Sequence, residues 1–170
     1  MRWLATAFVA LSFLVGIAFA DQEQATATFP TELIGLPTDE GLSERCIEIA
    51  ETAAQRSLGY MFRTDILPSD GMLFVFDPPR PVAMWMKNTP TSLDMLFIEP
   101  DGTVAKIAPN TEPFSTEVIA AEANIGFVLE LLAGQTDALG INRGDKVVGS
   151  WFDPSLDPKP CERQIDSDGA

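Results

Sequence analysis

The chain has 170 residues, with 25 acidic against 11 basic side chains and a net charge of −14 at pH 7. That balance repels nucleic acid and anionic lipid, so neither is an expected partner; it serves solubility and leaves a cationic partner open. There is no histidine, which removes Ser-His-Asp and Cys-His catalysis, most zinc sites, histidine-ligated haem and the commonest general base.

Met1-Arg2 opens the chain, residues 3–18 are apolar and uncharged, and Ala18-Phe19-Ala20 precedes Asp21. A positive start, an apolar middle and a small-residue exit form the pattern of a cleaved secretory signal. An uncleaved anchor is the alternative, but the run is near the short end for spanning a bilayer. Cleavage after Ala20 is therefore expected, with export to the periplasm or the medium. Loss of Arg2 would leave a net charge of −15. No cysteine follows the run and no later stretch reaches spanning length, so no membrane attachment is expected after cleavage. Residues 21–42 are polar, carry two prolines and read as a flexible lead.

One folded domain is expected over residues 43–156. Residues 45–51 alternate, placing Ile47 and Ile49 on the buried face of a strand. Thr52-Ala53-Ala54-Gln55 has the capping-box pattern and opens a helix to about Met61. Pro68-Ser69-Asp70-Gly71 is a turn into an apolar strand over 72–76. Asp77-Pro78-Pro79-Arg80-Pro81 breaks that strand, and another is expected over 82–86. Residues 93–98 and 103–107 flank Glu99-Pro100-Asp101-Gly102, a hairpin signal. Strands are expected at 118–121 and 127–131, a short helix at 133–139 ending at Gly140, and a last strand at 146–152. Residues 157–170 read as a loose tail pinned partway by Cys161. The expected fold class is mainly β, a sandwich- or barrel-like single domain with one or two short helices.

Six blocks occur in order: Arg56-Ser57-Leu58-Gly59-Tyr60-Met61-Phe62-Arg63, Gly71-Met72-Leu73-Phe74-Val75-Phe76, Trp85-Met86-Lys87-Asn88-Thr89, Leu93-Asp94-Met95-Leu96-Phe97-Ile98, Leu129-Glu130-Leu131 and Gly140-Ile141-Asn142-Arg143-Gly144-Asp145. Together they resemble the domain-of-unknown-function 192 family, over about residues 45–150; the Trp-Met-Lys-Asn-Thr block is the most specific. The resemblance implies a mainly β, sandwich-like fold and frequent export. It implies no reaction, because the family has no established activity. Gln55 stands where the family often has Glu and keeps the capping role.

Cys46 and Cys161 are the two cysteines. In an oxidising compartment they read as a disulfide, worth several kcal/mol through the unfolded state; two free thiols or a soft-metal pair are the alternatives. Trp85, Lys87, Asn88 and Thr89 concentrate hydrogen-bonding groups at one strand end. Arg63 adds a planar fork suited to carboxylate or phosphate, and Asp94 opens the next strand. These residues, with Asp145, form the candidate site for a small, anionic ligand; a purely structural use, with Arg63 or Lys87 paired to Asp94, is the competing reading. A rival function is an enzyme using Asp94, Glu130 or Asp145 with Lys87, although alternation points Glu130 outward. A third is a docking module for envelope proteins. Met61, Met72, Met84, Met86 and Met95 are of a type that suits Cu(I), but they lie mostly in apolar strands and read as core. Tyr60 reads as packing. No metal and no cofactor are expected.

Overall fold

The computed structural model describes residues 27–163; the expected signal over 1–20 and the end of the expected tail lie outside them. The described chain is mainly β. Its strands are β1 (Thr31–Thr38), β2 (Gly41–Ala50), β3 (Gly71–Met84), β4 (Leu93–Ile98), β5 (Val104–Ala108) and β6 (Ile119–Leu132), with helices α1 (Ala53–Leu58) and α2 (Gln135–Ala138). They form one six-stranded sheet in the order β1-β2-β3-β6-β4-β5. All neighbours are antiparallel except β2 and β3. A parallel pair needs a crossover, and residues 51–70, which contain α1, supply it. Among the described residues no helix is long and apolar enough to cross a membrane.

The central strands are buried on both faces. One face of β3, β4 and β6 presents Leu73, Val75, Leu96, Ile98, Leu129 and Leu131, covered by Ile141, Val147 and Phe152 from beyond α2. The Phe127 and Phe152 rings meet edge-on at 4.8 Å. The opposite face presents Met72, Phe74, Met95, Phe97 and Val128, covered by Tyr60 and Ile66 of the crossover and by Met86. Every residue of β4 is buried, the continuous apolar pattern of a doubly covered strand.

Thr52 caps α1 as expected: its hydroxyl accepts from the Gln55 N–H, and the Gln55 side chain returns to the Thr52 N–H. The helix stops three residues earlier than expected. Gly59 adopts φ 46° and donates to the Gln55 carbonyl; a Cβ there would lie 2.9 Å from the Phe74 ring. Only glycine lets the chain turn down onto the sheet at this point.

Four other expectations are corrected. The flexible lead contains β1, whose Ile34 and Leu36 are fully buried. Glu32, Gly35 and Pro37 had masked its apolar pattern. The Pro-rich break at 77–81 does not end the strand. β3 runs through it with register shifts against β6 between Val75, Arg80 and Val82, the local irregularity by which a sheet tolerates proline. The strands at 118–121 and 127–131 are one, β6. The last expected strand, 146–152, makes only single bridges, Thr103 with Lys146 and Gly35 with Val148, because the chain turns at Gly149, whose carbonyl accepts from Phe152.

The C-terminal segment acts as a strap. Leu33 donates to Lys159 along the outer edge of β1, and Cys161 is bonded to Cys46 of β2. Arg163 then forks onto Asp70, with contacts of 3.0 and 2.6 Å. Closing so long a loop stabilises by about 3–5 kcal/mol in the chain-entropy account. Reduction is expected to lower the urea-unfolding free energy by that order. In the oxidised protein Arg163→Ala is expected to cost about 2–4 kcal/mol, since it strands the nearly buried Asp70 carboxylate. After reduction the same substitution should cost less, because the strap is no longer held over Asp70; equal costs in both states would contradict the coupling.

Candidate functional site

An open pocket of about 390 Å³ lies between α1 and the second half of β3. Phe74, Phe76, Met84 and Trp85 form apolar walls, and Lys87, Thr89 and Arg56 stand around them. Glu130, from β6, lies at its inner side. A second groove, about 740 Å³ along Leu33, Leu42 and Val148, is larger, but its ionisable residues, Glu44, Asp157 and Lys159, are all exposed.

Glu130 sits in the sheet between Met72 of β3 and Met95 of β4, both fully buried. Burial alone pushes its carboxyl up to about 8; no hydrogen bond and no neighbouring charge offsets the loss of water. It is therefore mostly a neutral acid at pH 7, able both to donate and to accept. Tyr60 is also buried, and its hydroxyl has no partner among the described residues. Burial raises its pKa, and the charges of Glu48 and Glu130 add to that. Buried polar groups are almost always satisfied. Among the described residues the Tyr60 hydroxyl and, away from this pocket, the Trp151 indole N–H are the buried side-chain groups without a partner. The Glu130 carboxyl, which borders the same pocket as Tyr60, has no hydrogen bond to a described residue either, and the two together mark the place where a ligand or water completes the hydrogen bonding.

The surroundings hold these groups in place. Arg63 lies over the Tyr60 ring, 4.8 Å from its centre, and pairs with Glu48 at 2.5 Å. Arg56 donates to the Val75 carbonyl at 3.0 Å and faces the Phe76 ring. Lys87 reaches over Trp85, 5.2 Å from the ring centre, and makes no salt bridge to a described residue. Two segments clasp the Met86–Thr89 stretch through backbone bonds: Phe62 N–H donates to Asn88, Phe114 N–H donates to Thr89, and Met86 N–H donates to Ser115. Phe62, Asn88 and Phe114 all have positive φ, 66°, 57° and 61°, which is costly for a bulky side chain. Phe62, Trp85 and Phe114 are 58%, 49% and 62% exposed, so the strained loops present aromatic rings to solvent beside the pocket.

The family model for DUF192, described as uncharacterized ACR, matches residues 36–149. The chain belongs to the DUF192 family. Two solved structures are similar to this DUF192 protein. One, from Sinorhizobium meliloti 1021 and provisionally labelled a transcription regulator, is 40% identical with a TM-score of 0.71, covering 74% of this chain and 98% of its own. The other, a protein of unknown function from Novosphingobium aromaticivorans DSM 12444, is 32% identical with a TM-score of 0.69, covering 74% and 89%. No curated protein matches.

Of the residues singled out in the sequence, Trp85, Lys87 and Thr89 line the pocket. Asn88 shapes the loop, accepting from Phe62 through its carbonyl. Arg63 joins the same region, where Thr91 donates to its carbonyl, but its guanidinium supports Tyr60 from behind. Asp94 lies elsewhere. It is fully buried and accepts from the N–H of Asn110 and from both the N–H and the hydroxyl of Thr136, tying α2 and the 109–111 loop to β4. Neither Arg63 nor Lys87 pairs with it. Asp145 is a turn residue accepting from Asn142, and it too lies outside the pocket. Met72, Met86 and Met95 are core, and among the described residues no group of three or more Cys, Asp or Glu could hold a metal.

Arg56 and Tyr60, which the sequence did not single out for the site, line the pocket, as does Glu130, named there only as a candidate acid for catalysis. Glu130 points inward, not outward. Alternation assigns one face to solvent, and β6 has no solvent face there. A carboxyl inside the run Phe127–Leu132 was the available signal.

Asp94→Asn is expected to cost about 2 kcal/mol, because an amide turns one of three accepted bonds into a donor clash. Urea unfolding would report it, and a change below a few tenths would contradict the structural role. Glu130 has a raised folded pKa, so its contribution is most favourable below the unfolded value. It is lost as pH climbs from about 4.5 to about 8. The loss amounts to roughly 5 kcal/mol at most. Glu130→Gln removes it, so the variant's advantage over the parent in thermal or urea unfolding should grow across that window and then level. A pH-independent difference would place the carboxyl in water.

Proposed function

We propose that this protein is an exported domain that binds a small organic ligand in the pocket between α1 and β3. The observation that carries the reading is two polar groups bordering one largely apolar pocket, the Tyr60 hydroxyl, buried without a partner among the described residues, and the buried Glu130 carboxyl, which no described residue hydrogen-bonds. Pockets with few converging polar groups and a perturbed acid are the usual form of small-molecule sites. Lys87, free of salt bridges to described residues, supplies the attraction for an anionic end of the ligand. Export is supported by the signal pattern over residues 1–20 and by the Cys46–Cys161 bond, which persists in oxidising compartments. The label on the Sinorhizobium relative is not carried over, since a net charge of −14 opposes binding to DNA.

A second reading rests on the same acid. A carboxyl raised to about 8 in a pocket that also carries Lys87 is matched to general acid–base work at neutral pH. The two readings separate on turnover: an enzyme loses it in Glu130→Gln while the binding of substrate persists.

Native mass spectrometry of protein recovered from its exported compartment tests the main reading. The expected result is a mass lacking residues 1–20, two hydrogens lighter for the disulfide, with a retained small molecule. Ala83→Trp fills the pocket from an exposed wall position and should abolish retention. A retained mass that survives Ala83→Trp would overturn the pocket assignment, and an intact signal would overturn export.

A further inference from the structure

The pocket is polarised from end to end. Tyr60 and Glu130 are both buried; the Tyr60 hydroxyl has no partner among the described residues, and no described residue hydrogen-bonds the Glu130 carboxyl. The walls are the Phe74, Phe76 and Trp85 rings and Met84. Lys87 is exposed beside Trp85.

A phenolic hydroxyl and a neutral carboxyl are both donors. One oxygen with two lone pairs accepts from both at once, and a carbonyl oxygen is the simplest group that does so without bringing a charge into an apolar base. A charged head would meet no cation there. A hydrocarbon head would leave both donors unpaired, at the cost of two buried hydrogen bonds.

We infer that the ligand is an organic acid carrying a carbonyl oxygen at the far end of an apolar, aromatic-sized body. The carbonyl lies between Tyr60 and Glu130, the body packs against Phe74, Phe76, Met84 and Trp85, and the carboxylate faces Lys87. This inference rests on the pocket reading above and adds the chemistry of each end. The titratable groups that share the pocket with Glu130 are Tyr60 from the segment after α1, Arg56 from α1 and Lys87 from the loop after β3; its neighbours on β3 and β4 are methionines. The Glu48–Arg63 pair and Asp70 act on Tyr60 from behind. Recognition of the carbonyl therefore depends on the Glu130 proton and weakens as the pH passes through about 8.

Three matched probes test it by calorimetric titration of the disulfide-intact protein: 4-acetylbenzoate, 4-ethylbenzoate lacking the carbonyl, and 4-methylacetophenone lacking the carboxylate. 4-Acetylbenzoate is expected to bind tightest, with each deletion costing about tenfold. Tyr60→Phe should weaken 4-acetylbenzoate about tenfold and leave 4-ethylbenzoate unchanged. Between pH 6.5 and 9 the parent should lose its preference for the carbonyl probe. Glu130→Gln, whose amide donates without titrating, should keep it; 4-ethylbenzoate reports any change at Lys87 or Arg56 over the same range. Equal affinity for the acetyl and ethyl probes, both lost in Ala83→Trp, would overturn the inference and leave the pocket reading standing. No binding of any probe, with a native mass still lost in Ala83→Trp, would do the same. No binding together with a native mass indifferent to Ala83→Trp would overturn both.

Discussion

β6 lies between β3 and β4 and is covered on both faces, and most of the site follows from that confinement. Over residues 125–131 β6 has no side that water reaches, so each side chain of that stretch must join one of two cores. Leu129 and Leu131 join the first, and Val128 the second. Glu130 is forced toward the second, between two methionines that offer it no hydrogen bond. Its only route out is the gap beneath α1. The pocket and the raised acidity of Glu130 are two consequences of one packing constraint, which is why they coincide.

The gap exists because the β2–β3 connection must be a crossover. A parallel pair cannot be joined by a tight turn, so residues 51–70 pass over the sheet and leave a space where α1 fails to cover it. Gly59 brings the chain down against Phe74 at one end of that space. Tyr60, the next residue, is thereby aimed inward with its hydroxyl unbonded, and Arg63 holds the ring from behind. The Lys87–Thr89 loop closes the other side. Its conformation is held by backbone bonds from Phe62 and Phe114, each in a left-handed geometry that a phenylalanine adopts at a cost of about 1–3 kcal/mol. Strain of that size persists only where surrounding contacts over-determine it, and the paired backbone bonds onto Asn88 and Thr89 are such an arrangement.

The far side of the molecule has a different task. β1 is an edge strand with unpaired backbone groups, an invitation to pair with another chain. The segment 159–161 covers part of that edge, and the Cys46–Cys161 bond keeps it there. Beyond the bond, Arg163 reaches Asp70, which precedes the first residue of β3. The strap thus connects the outer edge of the sheet with the start of the strand that forms the pocket wall.

Local patterns in the sequence determined the mainly β class, the capping box at Thr52, the hairpin at 99–102, and the inward faces of Ile47 and Ile49. Each of those rests on periodicity or turn chemistry that neighbouring residues specify by themselves. The sequence also identified the cysteine pair, leaving open whether it was bonded. The direction of Glu130, the orphaned hydroxyl of Tyr60 and the role of Arg56 were decided only by tertiary structure. So was the separation of Asp94 and Asp145 from the pocket. Whether a side chain meets water, core or cavity depends on what covers its strand from outside, and that cover comes from segments distant in the chain. β1 shows the same limit: Ile34 and Leu36 look unremarkable between polar residues until β2 and the C-terminal strap pack against them. Alternation is a rule about one covered face, and it carries no information where the fold covers both.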